Sequence, residues 1–195
     1  MKIIGITGNS GSGKSTISKL ISKNYEAKII DADKIAKEMT KNNGEYLQAI
    51  RQAFGNDVIK NNELDRKKLA DIVFLNRAEK EKLDGLTLEY VVEEIKKELE
   101  ANQNLDYQYI ILDVPLLFES KLDKLCDYTI GVIAPKTEKI KRICKRDKLS
   151  KEKALQRLNS QPNDEFFIKK CDIVINNENK EETIKIVNEI MLKLQ

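Results

Sequence analysis

Gly8-Asn9-Ser10-Gly11-Ser12-Gly13-Lys14-Ser15 combines glycines, one lysine and a hydroxyl at the spacing of a phosphate-cradling P-loop. Glycines let successive backbone N–H groups turn inward on a polyphosphate, and the positive end of a following helix adds to their pull. Side chains at Gly8, Gly11 or Gly13 would obstruct that approach. Lys14 then supplies a point charge for the β- and γ-phosphates, and the Ser15 hydroxyl is a hard oxygen ligand suited to Mg²⁺. Ser12 lies inside the cradle, and Thr16 offers its N–H at the phosphate end. A chance glycine-rich turn is the structural alternative, but the flanks argue against it. Lys2 to Thr7 is short and β-branched, and Ile17, Leu20 and Ile21 fall at helical spacing. The motif predicts a bound nucleoside triphosphate.

The chain contains no histidine, so proton transfer near neutral pH falls to a carboxylate, lysine, tyrosine or thiol. Asp33, two residues past the apolar run Ala27 to Asp31, can reach the space facing a γ-phosphate and accept or orient the proton of an acceptor hydroxyl. A helix N-cap is its structural alternative. Asp113 closes the apolar run Tyr109 to Val114 and suits a carboxylate that holds Mg²⁺ directly or through water; a plain turn residue is the alternative. After Pro115, Phe118 either lines an acceptor pocket or makes an ordinary core contact. Arg142 and Arg146 lie four apart on one helical face, and Arg157 follows on the next helix. A basic pair usually marks a solvated surface. Phosphoryl transfer, however, needs cations over the developing charge and a flap that excludes water, so this helix pair reads as a lid with at least one arginine on a phosphate.

The elements that must position these groups alternate. Strands are expected at Lys2 to Thr7, Ala27 to Asp31, Tyr109 to Val114, Tyr128 to Ile133 and Asp172 to Ile175. Helices are expected from Ala32, at about Gly44 to Phe54, Arg66 to Phe74 with Asp65 as N-cap, Ala78 to Ala101, Lys136 to Lys148, Lys151 to Ser160 and Glu181 to Leu194. The pattern implies an α/β fold: a doubly wound, five-stranded parallel sheet forming a P-loop kinase core. One domain over 1–195 is expected, with a helical acceptor-binding insertion at about 44–101 and a lid at about 142–165. In such a sheet ligands bind beyond the carboxyl ends of the strands, where the P-loop, Asp31/Asp33 and Asp113 all fall.

With 41% hydrophobic residues over 195 positions, the chain can bury one substantial core. Thirty-five basic and 32 acidic residues nearly balance, which argues against a general nucleic-acid binder. The three cysteines are widely spaced, without zinc or redox pairing. No signal core or membrane-length apolar run is present, so a cytoplasmic protein with reduced thiols is expected. A nucleotide-dependent switch is the rival from another class, but no Asn-Lys-x-Asp guanine motif and no aromatic-interleaved basic patch occur. The oligomeric state is left open, with a monomer as the default. Asn176 and Asn177 stand where a base-binding loop could lie, and equally suit a turn.

These residues resemble the dephospho-coenzyme A kinase family nearly end to end. The resemblance runs through Gly5 to Thr16, Asp31-Ala32-Asp33, Leu64-Asp65-Arg66 with Leu69, Val73 and Phe74, Leu112 to Glu119, Arg142 with Arg146-Asp147, and Arg157 with Gln161. It implies ATP- and Mg²⁺-dependent phosphorylation of the ribose 3′-hydroxyl of dephospho-coenzyme A, the last step of coenzyme A synthesis. It also implies acceptor contacts from Asp33, Arg66, Asp113, Phe118 and Glu119, and ATP contacts from the P-loop, Arg142 and Arg157. Lys14, Asp33 and Arg146 would be catalytic, and Ser15 and Asp113 would hold the metal. Three places depart from the family pattern. Leu88-Glu89 replaces a usual His-Pro, Lys121 stands where glycine is common, and Pro162 to Phe167 lacks a basic residue.

Overall fold

β-Branched and aromatic runs form strands because their side chains pack well on a pleated surface. In the computed structural model, described for residues 1–41, 44–74, 76–103 and 105–194, the chain begins β1 (Lys2–Thr7), α1 (Lys14–Asn24), β2 (Ala27–Asp31), α2 (Ala32–Glu38), α3 (Glu45–Phe54). It continues through β3 (Ile59–Lys60), β4 (Glu63–Leu64), α4 (Arg66–Phe74), α5 (Arg77–Asn102) and β5 (Tyr109–Asp113). The remainder is β6 (Tyr128–Ile133), α6 (Lys136–Asp147), α7 (Lys151–Asn159), α8 (Asp164–Lys170), β7 (Ile173–Asn176) and α9 (Lys180–Lys193). Two compact units result: Met1–Ile30 with Asn104–Gln195, and Asp31–Gln103.

The first unit is built on a five-stranded parallel sheet in the order β2-β5-β1-β6-β7. Alternation along β1 sends Ile4 and Ile6 to the face covered by α1 and α9, where Ile17, Ile21, Val187 and Met191 complete the core. On the opposite face Gly5 and Gly131 leave room that Leu117 and Cys126, and Phe167 and Cys171, occupy. Both faces are therefore covered, as a parallel sheet requires. The register sets Ile6 beside Asp113 and Thr7 beside Gly131. That pairing puts the carboxylate at the end of β5 next to the strand from which the glycine-rich loop departs.

The second unit is helical apart from the β3–β4 hairpin. Tyr46, Ile50, Val58 and Leu69 form its core. Asn76 caps α5 by accepting from the backbone N–H groups of Ala78 and Glu79 at 3.0 and 3.3 Å. Asp65 caps α4 through the Lys68 N–H at 3.1 Å.

Several expected boundaries shift for local reasons. The last strand begins at Ile173, not Asp172, whose backbone N–H donates to Thr129 Oγ1 at 3.0 Å instead of to a strand carbonyl. Helix α8, capped by Asn163, and the β3–β4 hairpin add to the expected elements. The hairpin turns on Asn61 and Asn62, both at positive φ, a conformation asparagine tolerates better than most residues.

Candidate active site

The loop between β1 and α1 adopts a shape that only its glycines permit. Gly11 and Gly13 have φ of 77° and 95°. A Cβ on Gly11 would sit 2.5 Å from the Lys139 carbonyl oxygen, and one on Gly13 would collide with the Asn177 amide. No side chain caps α1; the Thr16 and Ile17 N–H groups both donate to the Gly13 carbonyl, at 2.9 and 3.2 Å. The loop is also braced from outside. Arg142 donates from Nη1 to the carbonyl oxygens of Gly11 and Ser12, both at 3.1 Å, and from Nη2 to the Asn177 carbonyl at 3.0 Å. Asn177 adds an Nδ2 donation to the Ser12 carbonyl at 2.7 Å.

Lys14 and Asp113 are both buried and ion-paired through Nζ and Oδ1. Ser12 Oγ is buried with no hydrogen-bond partner among the described residues. Ser15 and Thr16 are exposed at the start of α1. Thr7 Oγ1 donates to the Pro115 carbonyl at 2.9 Å, tying the segment after β5 to the end of β1. In that segment Phe118 meets Phe166 edge-on at 5.6 Å, which in turn meets Phe167 at 5.3 Å. Glu119 is exposed. Lys121 holds φ at 58°, which accounts for the glycine common at this position.

Two of the three expected lid arginines converge on one carboxylate, while Arg142 turns to the phosphate loop. Arg146 donates to both oxygens of Asp147 at 2.8 and 2.9 Å, and Arg157 donates to Oδ2. The Arg146 hydrogen bonds, reinforced by the charges of Arg146 and Arg157, lower the Asp147 carboxyl below its ordinary value. Burial instead pushes the thiols of Cys126 and Cys171 up to about 12, with Asp123 and Asp172 respectively adding to the effect.

Within the helical unit, Asp31 rather than Asp33 caps α2, accepting the Lys34 N–H at 3.0 Å. Asp33 is exposed in the first turn. Arg66 Nη2 donates to Thr40 Oγ1 at 2.8 Å beside a cavity of about 320 Å³ lined by Tyr46, Leu69, Val73 and Thr87. Asn9, Asp147, Gln161 and Asn177 carry contacts that spacing alone did not reveal, because each is recognised only by the backbone or charge opposite it.

No group of three or more His, Cys, Asp or Glu side chains that could hold a metal occurs among the described residues. Ser15 and Asp113 are nevertheless hard oxygen donors. Oxygen donors of this kind, completed by water and phosphate oxygens, are the ligands Mg²⁺ takes.

The dephospho-CoA kinase family pattern matches residues 2–183. The chain belongs to the dephospho-CoA kinase family. It is 44% identical over 188 residues to a dephospho-CoA kinase of Fusobacterium nucleatum, covering 95% of this chain and 94% of that one. Identity to a Bacillus cereus dephospho-CoA kinase is 36% over 192 residues, covering 98% and 96%. A solved Thermus thermophilus protein superposes with a TM-score of 0.80 at 29% identity, covering 100% and 98% of the two chains. Dephospho-CoA kinase from Campylobacter jejuni gives 0.71 at 30%, covering 98% and 96%. The activity is thus ATP-dependent phosphorylation of dephospho-CoA, the last step of coenzyme A biosynthesis. No helix among the described residues is long and apolar enough to cross a membrane.

Proposed function

We propose that this dephospho-CoA kinase binds the ATP phosphates along Gly8, Gly11, Ser12, Gly13, Lys14, Ser15 and Thr16 and that Asp33 orients the ribose 3′-hydroxyl of the acceptor. The buried Lys14–Asp113 pair beneath the braced loop carries this reading: it keeps an ammonium in place for an incoming polyphosphate. Asp33 accepts the hydroxyl proton, the 3′-oxygen bonds to the γ-phosphorus, and the bond to the β–γ bridging oxygen breaks, releasing ADP. Most of the barrier reduction then comes from positioning and charge stabilisation. Ser15, with Asp113 directly or through water, would hold Mg²⁺, which when bound neutralises charge on the β- and γ-phosphates.

Arg146, with Arg157, supplies cationic charge to the transferring group after leaving Asp147, and Arg142 serves ATP binding by bracing the loop. Arg66, Phe118, Glu119 and Asp113 contact the acceptor. Exposure of Asp33 and Glu119 and the Arg66-flanked cavity support these assignments. A cytoplasmic location is supported by three free thiols, and the small-molecule substrates require neither nucleic acid nor a second copy.

The deciding experiment is mass-spectrometric detection of coenzyme A after incubation with Mg-ATP and dephospho-CoA, with Lys14→Ala as control. Product only with the intact chain supports the reading. Product from the Lys14→Ala chain at an equal rate would remove the P-loop lysine from the mechanism.

A further inference from the structure

The tip of the phosphate loop is gripped by the connection between α7 and α8. The Ser10 backbone N–H donates to Gln161 Oε1 at 3.0 Å, and Gln161 Nε2 donates to Ser10 Oγ at 3.2 Å. A backbone N–H can only donate, so the orientation of the Gln161 amide follows from the contact itself. One residue along, the buried Asn9 extends Nδ2 to the Pro162 carbonyl at 2.8 Å. Consecutive residues of the loop thus meet consecutive residues of the α7–α8 connection. Asn9 O also accepts the Ser12 N–H at 3.0 Å, so the gripped end and the interior of the loop are one hydrogen-bonded piece.

We infer that Gln161 is a positioning residue for the kinase reaction: it holds Ser10, and through it the phosphate loop, in the shape that receives the ATP phosphates. The inference rests on the reading that Gly8–Ser15 is the ATP phosphate site. Gln161 touches no reacting atom; it acts through the loop backbone. Arg142 braces the far side at Gly11 and Ser12, and Gln161 braces the near side at Ser10. A loop held at only one side must pay its ordering entropy when ATP binds. Loss of Gln161 therefore weakens nucleotide binding and leaves the acceptor unaffected.

The test compares the full-length enzyme with Gln161→Ala, Ser10→Ala and the double variant, reading the Kd for Mg-ATP by calorimetry, KM for each substrate, and Tm. Gln161→Ala is expected to weaken Mg-ATP about tenfold, the scale of two neutral hydrogen bonds, with KM for dephospho-CoA changed less than about twofold. Ser10→Ala removes only the hydroxyl branch and is expected to cost about threefold. Added to Gln161→Ala it costs nothing further, since the coupled partner is already gone. Unchanged Mg-ATP affinity, additive effects of the two substitutions, or an equal rise in both KM values would overturn the proposal. Should Gln161→Ala fail to fold, Gln161→Met keeps the side-chain length and answers with the same readouts. Wild-type enzyme that binds Mg-ATP without phosphorylating dephospho-CoA would sink the acceptor reading while the Kd comparison still decides the role of Gln161. Wild-type enzyme that does not bind Mg-ATP would sink both.

Discussion

Lys14 and Asp113 neutralise each other at the foot of the phosphate loop, where side-chain exposure is 10% and 2%. Both charges are largely out of water, where an opposite charge close by offsets part of the cost of desolvation. Asp113→Asn removes a carboxylate charge from this buried pair, and breaking such a pair costs about 3 kcal/mol, or roughly 6–12 °C in Tm for a chain of this size. ATP added in EDTA, with no metal for Asp113 to hold, returns an anion to Lys14. The ligand-induced rise in Tm is therefore expected to be larger in Asp113→Asn than in the wild type, provided both are saturated. Equal thermal shifts would show that Lys14 does not turn from Asp113 to phosphate.

Asp33 is exposed and is relieved of capping duty by Asp31, which leaves its carboxylate available for an acceptor hydroxyl. Asp33→Asn is expected to lower kcat by about 100-fold or more with little change in ATP affinity, as removal of a proton acceptor does. Near-normal turnover would rule out the assignment.

What the sequence made legible and what it hid divide along a physical line. Glycine spacing, β-branched runs and helical periodicity are local properties, so the sheet, the loop and most helices could be read from them. The partners of Arg142, Arg146 and Gln161 could not. Gly11 and Asn177 lie 131 and 35 residues from Arg142, and no periodicity encodes which carbonyl a guanidinium will meet. Asp147 was visible only as a neighbour of Arg146, although it proves to hold two arginines. Helix α8 is not legible because its seven residues behind Pro162 give too short a pattern to distinguish from a loop.

Asp147 should give the lid a signature in acid. Its carboxyl is lowered by Arg146 and Arg157, so its contribution to stability is present above the unfolded carboxyl value and is lost as pH falls through the lower folded value. The stability difference between wild type and Asp147→Asn is expected to be constant from pH 5 to 7 and to shrink below about pH 4. Denaturant titrations across this range read it directly. A difference that grows toward acid would contradict the pairing.

Lys121 carries a left-handed backbone at φ 58°, which costs a residue with a Cβ about 1–2 kcal/mol. Glycine avoids that strain but loses roughly 0.5–1 kcal/mol through its freer unfolded chain. Lys121→Gly is therefore expected to stabilise the protein by about 0.5–1 kcal/mol. A lower denaturation midpoint in that variant would mean that the Lys121 side chain supplies more than the strain removes.

Arg142 distinguishes bracing from direct phosphate contact. Its three donations go to the carbonyls of Gly11, Ser12 and Asn177, a forked geometry that a lysine ammonium cannot reproduce. Arg142→Lys preserves the charge while removing the fork. If the role is to hold the loop, Mg-ATP affinity falls about tenfold or more, because charge-assisted hydrogen bonds to backbone are lost. If the guanidinium acts only as a cation over the phosphates, lysine retains most of the affinity and the remaining attraction weakens with salt. Calorimetric Kd values for Arg142→Lys and Arg142→Ala at two ionic strengths separate these cases. Bracing predicts that the two variants are similarly impaired and nearly salt-independent relative to wild type.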